Sequence, residues 1–511
     1  MAAPASRRGR QARKNPAAVA VAAAPGGQYA GRYRPLSDAE EQQVHETALE
    51  LLATLGLGQP IPSMIDRVTR AGGRLGDDGR LLFPEKLVLD TIAGARREIT
   101  LHGRVPGLDV MLSGSRSYFS SGGAAPSLLD FETGIYRDST LADLYDAARI
   151  CDALEHVHHF SRSLVARDLP DAASMDINTA YACLAGTAKP VSISITERET
   201  VGPIAEICYA IAGGEAAFRA RPFLTVMVCH VVPPMRFAEE ACETLEAAVR
   251  AGFPVQLISA GQAGATSPAT IAGSLVQAVA ETLAGLVFAR LVDPGARAIF
   301  APKPLVADLR TGAMSGGGGE QAVLMAGAAQ MGRFYDLPTS SIAGITDAKT
   351  VDAQHGAEKT LAVTLAAHAG SNLVTQACGM QASLLGVSLE AYVADNDMLG
   401  NIMRTIRGVE VSTETLGADV IAEVCRGEGH YLGHAQTLER MVSDYVYPAI
   451  GDRQPPRDWE AAGAQDQRAR ARARTAELLA GHFPQAIDRE TDARLRTAFP
   501  IRLPRDRMAH G

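Results

Sequence analysis

Two loops hold most of the residues whose types and spacing could do chemistry. Residues 308–320 read D-L-R-T-G-A-M-S-G-G-G-G-E and run into a helix expected over 321–335; residues 344–355 read G-I-T-D-A-K-T-V-D-A-Q-H. Four glycines ahead of a helix expose backbone N–H groups to a ligand, or let another surface approach closely. The run is not a phosphate-binding loop, because no G-K-[ST] follows it. In the second loop Asp347 and Lys349 can orient a charged substrate, while Asp352 and Gln354 suit the cap of the next helix. Asp347 stays open to both readings, since an aspartate before a helix is an ordinary cap.

Other groups are more scattered. Lys303 could form a Schiff base, although a surface or ion-paired lysine is the plainer reading. Arg162, Thr196, His230, Gln262 and Glu410 each fall just after or within a strand-like run and are candidate rim residues. His156, His158 and His159 cluster at the start of such a run, and His430 and His434 have i, i+4 spacing without the H-E-x-x-H glutamate, so no metal set is expected. The seven cysteines are widely separated, with no C-x-x-C pair, which fits a reducing, cytoplasmic setting.

The elements that must position these groups form a repeat. Short apolar runs recur at 157–161, 190–195, 223–228, 255–259, 296–301, 338–343, 372–377 and 408–412, starting a little over thirty to a little over forty residues apart, with an amphipathic helical pattern between them. Strands apolar on both faces suit a buried parallel sheet, and eight such units suit a closed α/β barrel, a (β/α)8 or TIM barrel, whose active site lies at the strands' carboxyl ends. An open doubly wound sheet would look similar; the even spacing and the count of eight favour the barrel. The expected organisation is a disordered basic tail (1–34), an N-terminal helical cap (35–138), the barrel (139–426) and a C-terminal helical extension (427–511). Ser37 and Glu40 read as a capping box at the first cap helix. The extension, with the Arg/Ala-rich helix at 467–481, reads as a clamp on the barrel exterior or an oligomer contact, and a homo-oligomer is expected.

Composition narrows the partners. The 511 residues are 47% hydrophobic and 21% charged, enough for a large core. Five basic and no acidic residues occupy the first sixteen positions; setting these five aside from the net charge of −8 leaves −13 for the remainder. An acidic body argues against nucleic acid as the main partner. No uninterrupted apolar run approaches a membrane span, and the best candidate, 271–292, is broken by Ser274, Gln277, Glu281 and Arg290.

Several long stretches, in order, carry a resemblance: G-G-A-A-P at 122–126, D-F-E-T-G at 130–134, A-E-T-L-A-G-L-V-F-A at 280–289, D-L-R-T-G-A-M-S-G-G at 308–317, I-T-D-A-K-T-V-D-A-Q at 345–354 and G-H-Y-L-G-H-A-Q-T-L at 429–438. From about residue 37 to 500 the chain resembles the non-pyrrolysine branch of the trimethylamine methyltransferase family. That resemblance implies a barrel that moves a methyl group from a methylated amine to Co(I) of a corrinoid (cobalamin) carried by a separate small corrinoid-binding protein, with no metal bound by the chain itself. Members acting on trimethylamine contain pyrrolysine and this chain has none, so the expected substrate is a quaternary or tertiary methylated amine of the glycine betaine kind rather than trimethylamine itself. A site for it needs negative or aromatic lining: Phe300, Phe334 and Tyr335 for cation–π contacts, with Asp347 or Glu410 as counter-charge. His230, Gln262 and Lys349 would border the substrate, and Arg310, Gly316, Gly317, Gly318 and Gly319 would face the corrinoid. The competing expectations are a corrinoid-independent barrel lyase using Lys303, and a non-catalytic binding protein for quaternary amines.

Overall fold

The computed structural model describes residues 22–427 and 429–508. Eight strands carry the fold: β1 Arg116–Phe119, β2 Phe160–Ser161, β3 Val191–Ile193, β4 Leu224–Val228, β5 Val255–Ser259, β6 Ala298–Pro302, β7 Ser340–Ile342 and β8 Leu373–Thr375. β2 to β6 pair in sequence order, all parallel. β7 pairs with β8, and β8 with β1, placing Leu373 opposite Tyr118. Parallel bridges from Ser120 to His159 and from Phe300 to Thr339 close the ring.

A helix follows each strand: α1 Leu141–Ala153, α2 Ala172–Gly186, α3 Val201–Ala212, α4 Glu239–Arg250, α5 Ile271–Val292, α6 Gly319–Phe334, α7 Ala353–His368 and α8 Leu389–Arg407. The expected (β/α)8 barrel is present, shifted by one unit at each end. Its first strand lies inside the segment read as cap, where R-S-Y-F is too short and polar to register as a buried strand. The run at 408–412, read as the eighth strand, is not a strand. Val409 and Val411 alternate with Glu410 as a strand would, but they are 84% and 71% exposed, because the eight barrel positions are already filled when the chain leaves α8.

The barrel exterior is covered in two places. The N-terminal helices Asp38–Thr54, Pro62–Arg70 and Glu85–Gly94 pack on α5, which explains why α5 is apolar around most of its circumference. Ser37 closes the expected capping box, its hydroxyl accepting from the Glu40 N–H. Although α5 is the one described helix long and apolar enough to cross a membrane, it is spent on this packing. On the other side, the helix Gln467–Gly481 lies across α8 and α1, where Arg149 donates to the carbonyls of Leu479 and His482.

Of the tail expected to be disordered, residues 1–21 lie outside the described residues. Residues 22–34 are packed, with Ala23 and Ala24 buried and Gln28–Tyr29 pairing antiparallel with residues 116–117. After α8, helices Ala418–Arg426 and Ala435–Ser443 bury only Val424 between them.

Candidate active site

A cavity of about 420 Å³ opens at the carboxyl ends of the barrel strands, a volume usual for small-molecule sites. Its wall draws on Gly123 after β1, Ser194 and Thr196 after β3, Met227 of β4 and Cys229 just after it, Lys303 after β6, Ile342 of β7 and Gln376 after β8. No aromatic ring is among its lining residues, and Glu240 at the start of α4 is its one carboxylate.

Beneath it a polar network crosses the barrel interior. Lys303 Nζ lies 3.4 Å from Gln256 Oε1 and 3.3 Å from Thr375 Oγ1. Gln256 Nε2 donates to Ser192 Oγ at 3.2 Å, which lies 2.9 Å from His159 Nε2, while His159 Nδ1 lies 2.8 Å from Ser120 Oγ. Burial brings His159 down to about 3, with Lys303 adding to the effect, so the imidazole is neutral. Burial likewise brings the Lys303 ammonium down to about 8.

The glycine-rich loop and the loop after β7 are locked together at the mouth. Asp347 Oδ1 accepts from the Gly316 N–H at 2.8 Å and from the Ser383 hydroxyl at 2.5 Å, and Oδ2 accepts from Ser315 Oγ at 2.8 Å. Burial acts to raise the Asp347 carboxyl, but the Gly316 N–H and the Ser383 and Ser315 hydroxyls outweigh it and hold the group below its ordinary range. Asp352, not Asp347, caps α7, accepting from the His355 N–H. A Cβ on Gly316 would come within 1.9 Å of Ile345, and one on Gly317 within 2.1 Å of Glu358. These two glycines therefore serve close packing, whereas a Cβ on Gly319 would meet nothing within 4 Å. Arg310 sits at the exposed tip of the hairpin Leu305–Ala307/Met314–Ser315, forked onto Asp308.

The remaining expected site residues divide by where their elements end. Phe300 is buried against Tyr335, and Tyr335 and Phe334 close α6 at the barrel end opposite the mouth. These three rings are placed to pack the core and helix end, away from the cavity, and cannot form a cation box there. Glu410 follows α8 at that same far end, exposed and 3.8 Å from Arg407, so it too is remote from the mouth. His230 is buried with Nε2 2.9 Å from the Glu281 carbonyl, lying over Gly285, where a Cβ would sit 2.3 Å from the ring. Gln262 belongs to the rim strand Gln262–Ala263 paired with residues 305–306. Lys349 is exposed on the rim, its Nζ donating to the Asp347 carbonyl. Arg162 is buried toward α2 and does not line the cavity.

Glu281, which in the sequence reads only as a break in an apolar run, organises the mouth. Oε1 accepts from the Met235 N–H at 2.7 Å and Oε2 from the Ser259 hydroxyl at 2.5 Å, tying the loop after β4 to the end of β5. A polar residue at an inward strand position, such as Ser192 or Gln256, is the signal that would have revealed the floor.

Strain gathers at the same mouth. Ala382, Ser383 and Leu384 are three consecutive non-glycine residues with positive φ, and Gln376 and Ala124 share that conformation. Such clusters accompany sites whose surroundings over-determine them.

Comparison with known proteins gives the chain its family. Residues 5–505 match the trimethylamine methyltransferase (MTTB) family. A glycine betaine methyltransferase from Desulfitobacterium hafniense is 28% identical over 470 residues, spanning 92% of this chain and 97% of its own. A trimethylamine methyltransferase from another strain of that organism is 30% identical over 464 residues, with 90% and 92% covered. The crystal structure of the Methanosarcina barkeri monomethylamine methyltransferase aligns over 89% of this chain and 96% of its own, at 13% identity and a TM-score of 0.49. Matched along almost its whole length, the chain belongs to the trimethylamine methyltransferase family and is a methyltransferase.

Proposed function

We propose that the chain moves a methyl group from a quaternary methylated amine of the glycine betaine kind to the Co(I) of a corrinoid held by a separate small protein. The observation that carries this reading is a small cavity, walled by Gly123, Ala124, Ala241 and Ala260, at the open end of a barrel that matches the family end to end. Those small side chains leave the approach unobstructed for a flat macrocycle. The corrinoid would supply the nucleophile. As the C–N bond breaks, its electron pair stays on nitrogen and a neutral tertiary amine leaves, so no proton has to move. What the protein contributes is position and exclusion of water. The cavity wall accords with that: its titratable groups are Lys303, Cys229 and Glu240, with no hydrogen-bonded acid–base pair among them.

The test is to mix the purified chain with cob(I)alamin and a panel of betaines and methylamines and follow the Co(I) absorbance. Loss of Co(I) with a quaternary amine is expected; none across the panel, with corrinoid fully reduced, would overturn the reading. One observation favours a second reading: Lys303 reaches the cavity with its ammonium lowered to about 8, as a Schiff-base lysine would. Trapping by borohydride with a carbonyl substrate decides for the lyase.

Self-association belongs to the same proposal. Val409, Val411, Leu432, Leu438, Val442 and Tyr445 are exposed at the end of the barrel opposite the mouth, where a corrinoid protein serving the cavity cannot cover them. Exposed apolar side chains in this number suit a permanent partner, and a second copy is the occupant we assign.

A further inference from the structure

Among the described residues three lysines are buried, and two are satisfied. Lys189 Nζ donates to the carbonyls of Cys151, Leu154 and Val157 at 2.6–2.7 Å. Lys359 Nζ lies 2.6 Å from Asp395 Oδ2. Lys303 differs: it is 2% exposed, its contacts are two long ones to the neutral oxygens of Gln256 and Thr375, and no carboxylate pairs with it among the described residues. The group acting to hold its charge is the Cys229 thiol, itself pushed above its ordinary value by desolvation.

A buried cation without a counter-ion is costly, and such charges in folded proteins are paired or coordinated. Lys303 lines the cavity, so its missing partner can come from there. At the entrance stands the opposite charge: Glu240 is exposed and has no ion-pair partner among the described residues. The cavity is therefore polarised, positive at its floor and negative at its mouth.

We propose that Lys303 is the specificity-determining residue that receives a substrate carboxylate. A betaine then lies with its carboxylate on the floor and its methylated ammonium toward Glu240 and the opening. The inference rests on the methyl-transfer reading above and deepens it, because this orientation presents the N-methyl groups outward, where an acceptor on another protein arrives. A quaternary amine lacking a carboxylate leaves Lys303 unpaired and adds a like charge to the same cavity, which discriminates against it.

Titration calorimetry on the full chain tests this with glycine betaine, with its uncharged-carbon isostere 3,3-dimethylbutanoate, and with choline. Lys303→Met is expected to weaken both carboxylates about 10- to 100-fold, the range for losing a hydrogen bond to a charged group, and to leave choline unchanged or tighter. Lys303→Arg should keep part of the affinity. Removing an unpaired buried charge should also raise the melting temperature of the Met variant, which loss of a merely structural lysine would not do. Unchanged carboxylate binding in Lys303→Met, equal loss of choline and betaine with a lowered melting temperature, or no carboxylate binding by the unsubstituted chain would each overturn the assignment. The isostere has no transferable methyl. If it binds through Lys303 while no betaine consumes Co(I), the methyl-transfer reading fails and the Lys303 assignment stands.

Discussion

The Asp347 carboxylate holds the Gly316 N–H at 2.8 Å, and through it the glycine-rich loop after β6 is latched to the loop after β7. Both loops stood out for their composition, yet neither alone explains the other. Gly316 must lack a side chain because Ile345 occupies the space, and Asp347 must be ionised because every donor around it points inward.

Asp347→Asn should therefore open the mouth without disturbing the barrel. An amide cannot accept from Gly316, Ser315 and Ser383 together, and leaving such donors unpaired costs about 1–3 kcal/mol. Denaturant titration should show that loss, with faster proteolysis within residues 308–320. Because the folded-state carboxyl is held below its ordinary range, its stabilisation is complete above the unfolded value and is lost as pH falls through the folded one. The Asn variant should accordingly show a flatter acid limb; an unchanged limb would mean the latch is not ionic.

Lys303 runs the other way. Its folded value of about 8 lies below the ordinary 10.5, so the fold carries the full cost of the buried ammonium below pH 8 and is relieved of it as pH rises from there toward 10.5. The relief is about 3 kcal/mol at most. The groups facing it are His159 just before β2, neutral; Gln256 and Thr375, uncharged; the Cys229 thiol just after β4; and Glu240 at the entrance. Stability measured between pH 7 and 10 should rise for the unsubstituted chain relative to Lys303→Met. Betaine affinity should fall over the same window, as the ammonium that receives the carboxylate is lost.

How much of this was legible in the sequence depends on what each residue faces. Seven of the eight barrel strands showed as apolar runs because both their faces are buried. The β1 strand did not, since Arg116 and Ser117 stand where a run should begin, while the exposed V-E-V of 409–411 imitated one. Asp347 and Lys303 could be picked out by type and by position after a strand. Their partners could not, because Ser383, Gln256 and Thr375 come from other strands and loops and meet only when the ring closes. The aromatic candidates failed for a related reason: Phe334 and Tyr335 end a helix, and in this topology a helix ends at the face opposite the mouth.

Gly123 offers a test of the strained rim. Its φ is +119°, and a Cβ there would lie 2.0 Å from Met380 Cε and 3.4 Å from Leu384. Gly123→Ala should lower stability by about 1–3 kcal/mol through the backbone conformation alone. Because Met380 must move and Gly123 itself lines the cavity, KM should rise more than kcat falls. Equal loss in both parameters would place the effect in general destabilisation.

Self-association makes the last test, and the far end of the barrel decides it. Helices Ala418–Arg426 and Ala435–Ser443 are held to each other and to the short helix Thr413–Leu416 by polar contacts, His434 to Glu423 and Arg440 to Glu414, rather than by a shared core. Apolar faces left outward by such an arrangement gain nothing in a monomer. Burying them at about 25 cal/mol per Å² offsets the loss of freedom on association only if many are covered together, so two charges placed among them should suffice to split the assembly. The double variant Val409→Lys, Leu432→Glu changes two side chains that are 84% and 83% exposed and touches no barrel residue. Light scattering after size exclusion should report a smaller mass for it than for the unsubstituted chain, with an unaltered circular dichroism spectrum and unaltered betaine binding. An unchanged mass would remove this face as the contact between copies.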